Sequence, residues 1–570
     1  MKIRKLIIDH WLLVIILIAA SILRLWNLGS IPPHIAPDEA SLGYNAYSIL
    51  KTGRDEYGKF LPIIFKSFGD YKPGFYIYLT VPFVATLGLN EFSVRLPSAL
   101  SGVLSVYLIY LITKKLFNSL GTGNWKLEIV AAFIASTNPW LIFFSRGAWE
   151  ANVSLSLTLA GIYFFLKSLK VSRYLILSSL FFSLTLITYQ GAKLSTAIVL
   201  AILALLYWKE IIKFNKKILV GSFLIGFVVS IPIILSIFQG KTERLDVFSV
   251  FSYPRPREYL QDMLDEGEEK IGDLNYYLFH SEALNFKRGI IGRWFNHFSA
   301  KFLFFEGDWQ NPRHSAPNHG VLLLSDLILL AFGILALVRY GFSKEGLFFW
   351  LWLILAPLPA ALSRDQVHAV RSLNMAVPLV IVLSFGLSSI IGWIKTYSKP
   401  ILHYSLFIIL LLAYAGSYIY FLDAYFIHMP KHNSNSWNYG YKQIVKTITP
   451  IQNNYRSIKV SQSFAQPYIY FLFYGGDGYS QGYDPAKYQK QAKLVSSEYK
   501  GDVGYVERLE NICFCEINWN ADSQKKNILI VSDPIKLTPE MYQDEKLYGV
   551  IKEIKYLNGN DAAFRIIEVK

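Results

Sequence analysis

Ionisable residues gather in a few short places between long apolar runs. Ala36-Pro37-Asp38-Glu39-Ala40 follows the first run, Asp70-Tyr71-Lys72-Pro73-Gly74 precedes a shorter one, and Ser145-Arg146-Gly147-Ala148-Trp149-Glu150-Ala151 separates two more. Carboxylates at the edge of an apolar bundle are costly unless they are paired or used. Each also has a plain structural reading. Asp38 could cap a helix, Glu150 could pair with Arg146, and Lys72 could anchor a chain at a membrane surface. Further along lie Glu306-Gly307-Asp308, Asn311-Pro312-Arg313-His314 running to His319, and Arg364 to His368 and Arg371. Their cations and imidazoles suit an anionic ligand such as a phosphate. His314 and His319 with Glu306 or Asp308 could instead hold a divalent metal, although spacing alone specifies it weakly. Lys193, in Thr188-Tyr-Gln-Gly-Ala-Lys193, is a further cation in a short connection.

The elements that must position these residues follow from composition. The 570 residues are 53% hydrophobic and only 17% charged, against roughly a quarter charged in soluble proteins. That excludes a single soluble domain and a disordered chain. The first apolar run, Leu6 to Leu28, follows a basic N-terminus. Ala19-Ala20-Ser21 could mimic a signal-peptide cleavage site, but the run continues past it, which favours an uncleaved first helix. Other runs long enough to span begin near Phe92, Leu127, Ala151, Tyr174, Ala192, Ile218, Val321, Gly346, Leu373 and Ile401. Clusters at Lys114-Lys115, Lys167/Lys170/Arg173, Lys209 to Lys217, Arg339/Lys344 and Lys395/Lys399 fall at alternate connections. This positive-inside pattern predicts eleven spans with the N-terminus in the cytoplasm and the C-terminus outside. It requires that Gly74 to Leu89, short and interrupted by Pro82, be an interfacial or re-entrant helix.

The expected organisation is a polytopic α-helical membrane domain over 1–427, with a first external loop at 29–91 and a larger one at 239–320. A small external α/β domain is expected over 428–570. In that tail Ile458–Ser461 and Asn527–Ser532 read as buried strands, and stretches around Tyr439–Thr447 and Ala486–Ser497 as helices. The tail holds 18 Lys/Arg against 15 Asp/Glu, so most of the +15 net charge lies in the membrane part. Topology accounts for that excess, and no nucleic-acid partner is implied. Cys513 and Cys515 lack the spacing of a zinc site and read as two ordinary strand cysteines. No phosphate-binding glycine loop is present, and the cytoplasmic connections are too short to form a nucleotide site.

Asp38-Glu39 after the first span, Lys72-Pro-Gly-Phe-Tyr76, Arg95-Leu-Pro-Ser-Ala-Leu-Ser-Gly102, and Asn138-Pro-Trp140 to Arg146 and Glu150 occur in that order. Together they resemble the N-terminal half of glycosyltransferase family 39, of the GT-C superfamily. That family includes protein O-mannosyltransferases and the aminoarabinose transferase acting on lipid A. Asn311-Pro-Arg-His314 and His368-Ala-Val-Arg371 resemble segments of its prokaryotic members. The resemblance covers most of Met1 to Tyr425. It implies a polyprenyl-phosphate sugar donor at the external leaflet of the lipid bilayer, and inverting transfer to an acceptor hydroxyl on a protein, lipid or glycan. Asp38 matches the catalytic aspartate and would act as general base, with Glu39 its neighbour in the loop. Glu150 takes the place of a second acidic residue that positions acceptor or holds a divalent ion, and Lys72 would contact the donor phosphate. Where some relatives place an acidic residue directly before that lysine, this chain has Tyr71, which weakens any metal role there. Arg146, Lys193, Arg313, His314, His319, Arg364, His368 and Arg371 are further candidates for donor contacts. A metal remains possible and no other cofactor is expected. Two alternatives stay open: a transporter or flippase of a lipid-linked or anionic solute, and a GT-C ligase or polymerase using a diphosphate-linked donor.

Overall fold

A computed structural model describes residues 2–117, 126–239, 249–340, 343–397, 400–463, 466–476, 482–494 and 506–570. Each of the eleven apolar runs contains helix, from Lys2–Leu25 through Glu91–Phe117 and Glu150–Ser168 to Ala376–Tyr397 and Pro400–Asp423. Among the described residues, six helices are individually long and apolar enough to cross a bilayer. Leu127–Thr137 and Pro139–Ser145 form a broken seventh, bent by 56°. The break has a local cause. Pro139 disfavours helical backbone at Asn138 and opens the next helix, while the Asn138 side chain accepts from Leu141 N at 3.0 Å. Trp11–Leu25, Phe75–Leu87 and Tyr174–Leu186 are shorter apolar helices, so the segment from Gly74 is a 13-residue helix containing Pro82. The run expected from Val321 becomes helical only at Asp326 and ends at Tyr340. Outward faces are apolar, with Phe223, Val228, Ile409 and Leu412 all exposed. A belt of this kind suits contact with lipid rather than water.

The segment expected to form the first external loop is built rather than irregular. It contains the helix Pro37–Thr52 and a hairpin pairing Ile64–Ser67 with Asp70–Pro73. The tail is an α/β unit with a seven-stranded sheet. Its strand order is Ala492–Leu494, Val506–Leu509, Ile512–Phe514, Ser457–Val460, Ile528–Ser532, Ala562–Val569, Tyr548–Lys555. The two strands read from sequence are adjacent, central and parallel, with Ser457–Val460 lying between Ile512–Phe514 and Ile528–Ser532. The helix expected near Tyr439–Thr447 is Tyr441–Ile448, and that expected over Ala486–Ser497 ends at Gln491, where the chain turns into strand. Residues 495–497 of that expectation lie outside the described residues.

Two findings change the sequence-based picture of the tail. Cys513 and Cys515 are joined in a disulfide, which corrects their reading as ordinary strand cysteines. Residues two apart in an extended chain project to the same side, and their Cα atoms are 5.5 Å apart, within disulfide range. The tail also shares one apolar core with the first external loop. Ile35, Tyr44, Phe65, Tyr76 and Val94 pack in the same cluster as Tyr441, Ile444, Tyr468, Phe471 and Ile512. Lys442 reinforces the contact by pairing with Glu91 at 2.5 Å, and the Tyr474 hydroxyl donates to Glu91 at 2.9 Å.

Candidate active site

Pro37 occupies the first turn of its helix, which places Asp38 and Glu39 at the positive end of the helix dipole. The two carboxylates then diverge. Glu39 turns inward: it accepts from Ala36 N at 2.9 Å and Ala148 N at 2.6 Å, and pairs with Arg95 Nε at 3.1 Å. Arg95 is fully buried and also donates to the carbonyls of Leu28, Pro32 and His34. Every group around this pair is therefore a strut between the first external loop, the helix Glu91–Phe117 and the 146–149 connection. Glu39 does not line the cavity described next: its oxygens are committed to the scaffold, as suits a residue that orients the loop beside Asp38.

Asp38 turns the other way. It lines a narrow cavity with Ser41, Leu42, Asn45, Phe65, Ser67, Lys72, Ile77 and Glu150. Asp38, Ser41, Leu42 and Asn45 recur at i, i+3, i+4 and i+7, one face of the helix Pro37–Thr52. Lys72 comes from the second hairpin strand, opposite Phe65, and forms an ion pair with Asp38. Its ammonium also lies 5.3 Å from the centre of the Phe68 ring. The Lys72-Pro73-Gly74 order has a steric basis, because a Cβ on Gly74 would sit 2.2 Å from the Phe65 ring. Glu150 enters from the first turn of Glu150–Ser168. The cavity floor is a polar relay. Ser67 Oγ and Ser41 Oγ are 3.0 Å apart, Asn45 Nδ2 donates to the Ser41 carbonyl at 3.0 Å, and Glu56 N donates to Asn45 Oδ1 at 3.0 Å. Glu56 itself is buried, and burial, with the neighbouring charge of Asp55, pushes its pKa up to about 8.

Of the twelve residues singled out from the sequence, Asp38, Lys72 and Glu150 are brought together in this cavity. Lys193 stands close by: Gln190 Nε2 donates to the Tyr71 carbonyl at 3.1 Å, and Lys193 feels the charge of Asp70. Arg146 does not line this cavity. It is fully buried, donates to the carbonyls of Leu23, Trp26 and Ile31, and stacks 4.7 Å from the Phe426 ring centre. His319 is likewise enclosed, between Tyr420 and Phe421, with Nδ1 2.7 Å from the Gly320 carbonyl. Arg364 is exposed and donates to the Tyr253 hydroxyl at 3.0 Å. Arg371 pairs with Asp365 at 2.9 Å, and Arg313 faces Tyr470 of the tail electrostatically.

His314 and His368 form a second grouping with Asp308. His314 Nδ1 lies 2.9 Å from Asp308 Oδ2, and the two imidazole centres are 4.9 Å apart. His368, and not the His319 expected from the sequence, stands beside His314 and Asp308. His314 also packs 5.4 Å from the ring of Trp149, the neighbour of Glu150. Sequence reasoning missed Ser41, Asn45 and Glu56, and quoted Arg95 only within a family motif, without a role. The i, i+3, i+7 recurrence after Asp38 could have found the first two.

Residues 72–235 match the sequence profile of the family described as dolichyl-phosphate-mannose-protein mannosyltransferase. No curated protein gives a significant match to the sequence. Among solved structures, ArnT from Cupriavidus metallidurans, in its undecaprenyl-phosphate-bound form, superposes with a TM-score of 0.51 at 11% identity over 97% of both chains. Its apo form gives the same values. The Archaeoglobus fulgidus oligosaccharyltransferase is similar with a TM-score of 0.47 at 12% identity, over 81% of this chain. The chain spans about 63% of that protein's length. With its apolar helices, its C-terminal sheet and this superposition, the chain is a polytopic membrane protein of the GT-C fold, and its residues 72–235 carry the match to the protein-mannosyltransferase family.

Proposed function

We propose that the protein is an inverting membrane glycosyltransferase that takes a sugar from a polyprenyl-phosphate donor and passes it to an acceptor hydroxyl at the extracytoplasmic face. The observation that carries this reading is the convergence of Asp38, Lys72 and Glu150, from three separate segments, on one cavity. The acceptor oxygen attacks the anomeric carbon as the bond from that carbon to the phosphate oxygen breaks. The hydroxyl proton passes to an Asp38 carboxylate oxygen, and the polyprenyl phosphate leaves with the bonding electrons. General-base assistance of this kind contributes about 10²–10⁴ in rate. Lys72 stabilises charge on the departing phosphate, Lys193 adds to the local positive field, and Glu150 orients the acceptor. The undecaprenyl phosphate bound by ArnT supports a lipid-phosphate donor. The alternating basic connections support an extracytoplasmic site, as does the Cys513–Cys515 disulfide, a bond favoured by oxidising compartments.

The test is to incubate purified protein in nanodiscs with a panel of radiolabelled polyprenyl-monophosphate and polyprenyl-diphosphate sugars, followed by release of free lipid phosphate. Release from a monophosphate donor, abolished by Asp38→Asn, is expected. Turnover of diphosphate donors alone would replace this reading with a ligase or polymerase. Transport of a labelled lipid without bond cleavage, unaffected by Asp38→Asn, would replace it with a flippase.

A further inference from the structure

Asp308, His314 and His368 lie outside the Asp38 cavity, and the transfer reaction described above does not require them. Their ligand atoms all fall within 4.8 Å of one another. We propose that these three residues bind a single transition-metal ion of the Zn²⁺ type. The proposal is independent of the reaction the Asp38 cavity performs.

The donor set is built into the backbone of two separate segments. Asp308 is 1% exposed. Its Oδ1 accepts from the Asn311 backbone N at 3.2 Å and from Asn311 Nδ2 at 2.9 Å, and its Oδ2 accepts from Ala369 N at 2.8 Å. One carboxylate thus fixes both the 308–314 turn and the 368–371 turn, which carry the two imidazoles. His368 is held in turn: its backbone N donates to His297 Nε2 at 3.2 Å, and its Nδ1 accepts from Arg371 N at 3.3 Å. The rings of Phe144 and Trp149 wall the far side of His314, at 6.0 and 5.4 Å. Hydrogen bonds that fix ligand orientation in this way are the usual outer shell of a metal site.

Geometry and chemistry agree on the ion. An Asp–His hydrogen bond needs only two partners, yet a second imidazole stands within 4.8 Å of both, its Nε2 also 3.9 Å from Asp365 Oδ2. Zn–N and Zn–O bonds of about 2.0–2.2 Å place tetrahedral ligand atoms about 3.3 Å apart. The Asp308–His314 pair, at 2.9 Å, already stands near that spacing, and His368 closes by a side-chain adjustment. The ion takes the place of the proton between His314 Nδ1 and Asp308 Oδ2, which is released to solvent. Two imidazoles and one carboxylate favour Zn²⁺ over Mg²⁺ or Ca²⁺, which prefer all-oxygen sites. Three protein ligands leave one coordination position for water or another oxygen donor.

The full chain, purified without a polyhistidine tag and stripped with chelator, is to be titrated with Zn²⁺ by equilibrium dialysis and elemental analysis. One ion per chain is expected, bound at least tenfold more weakly by His368→Ala, with Zn²⁺ raising the melting temperature of the wild type but not of that variant. Absence of stoichiometric binding at about 100 μM Zn²⁺ would overturn the proposal, and so would unchanged affinity in folded His368→Ala. If His368→Ala does not fold, X-ray absorption of the Zn²⁺-loaded wild type decides. A shell with two imidazoles and no sulfur supports the site, and a shell lacking imidazole refutes it.

Discussion

In the ion pair between Asp38 and Lys72 the two partners are not equally placed to move. Lys72 is 9% exposed at its side chain and is packed over Phe68, whereas Asp38 is 55% exposed. In the proposed reaction a donor phosphate entering the cavity would compete for the Lys72 ammonium, and the more exposed Asp38 would be the partner to swing away. Asp38→Asn is therefore expected to lower kcat by about 10²–10⁴ with little change in melting temperature. Lys72→Gln should lower kcat by about 10²–10³, the effect of losing one donor aimed at developing charge. Single-turnover assays on protein of matched folded content check both. Glu56 sets a stability prediction of its own. Its folded pKa is raised to about 8 from 4.5, so the folded state holds this proton more tightly than the unfolded chain. Its stabilising contribution is full below about pH 4.5 and falls by up to about 1.4 kcal/mol per unit as the pH rises toward 8. Glu56→Gln should thus melt progressively higher than wild type across that window, and a constant difference would refute it. Asp38, Lys72 and Glu150 were legible in the sequence because charges beside apolar runs stand out. Ser41, Asn45 and Glu56 were not, because their importance arises from what the hairpin and the tail bury around them.

Between elements, the Glu39–Arg95 pair ties the first external loop to the helix Glu91–Phe117, and Glu39 also accepts from Ala148 N on the connection before Glu150. Removing one partner of such a buried pair strands the other, at a cost of about 3–5 kcal/mol. Glu39→Gln should consequently lower the melting temperature and folded yield far more than Asp38→Asn, although the two carboxylates are adjacent in sequence. His34 makes the junction with the tail. Its Nδ1 lies 2.8 Å from the Ile35 carbonyl, and its Nε2 accepts from Lys442 N at 3.2 Å, which requires a neutral ring. Burial pushes its pKa down to about 4, with Glu91, Lys442 and Arg95 the nearby charges and Tyr439, Tyr470 and Tyr474 the facing rings. A depressed pKa stabilises the docked state above about 6.5 and loses that contribution as the pH falls toward 4. Amide exchange of Tyr441–Ile448, corrected for intrinsic rates, should accelerate over that interval in wild type and much less in His34→Gln. The helical segments and the two central tail strands were readable from apolar periodicity. The hairpin Ile64–Pro73 was not, since four-residue strands leave too little pattern. The strand order of the tail was also hidden, because it depends on which faces meet across distant segments.

At the scale of the whole molecule, the shared core between first loop and tail constrains topology more tightly than charge counting does. Lys51, at the end of Pro37–Thr52, and Asn520, in the tail, are both exposed residues of one packed external body. They must lie on the same side of the membrane whichever way the chain is inserted. Val171 is exposed in the basic connection between Glu150–Ser168 and Tyr174–Leu186, one helix away from Glu150, and lies on the opposite side when that helix spans, as the expected topology requires. On the topology expected from the alternating Lys and Arg clusters, Val171 faces the cytoplasm. In a background carrying Cys513→Ser and Cys515→Ser, Lys51→Cys and Asn520→Cys should react with a membrane-impermeant maleimide on intact cells, while Val171→Cys reacts only after lysis. Labelling of all three from one side would mean that Glu150–Ser168 does not span, and the cavity could not then sit at a membrane face. Reaction of Lys51→Cys and Asn520→Cys from opposite sides would instead break the common core on which the placement of Asp38 depends.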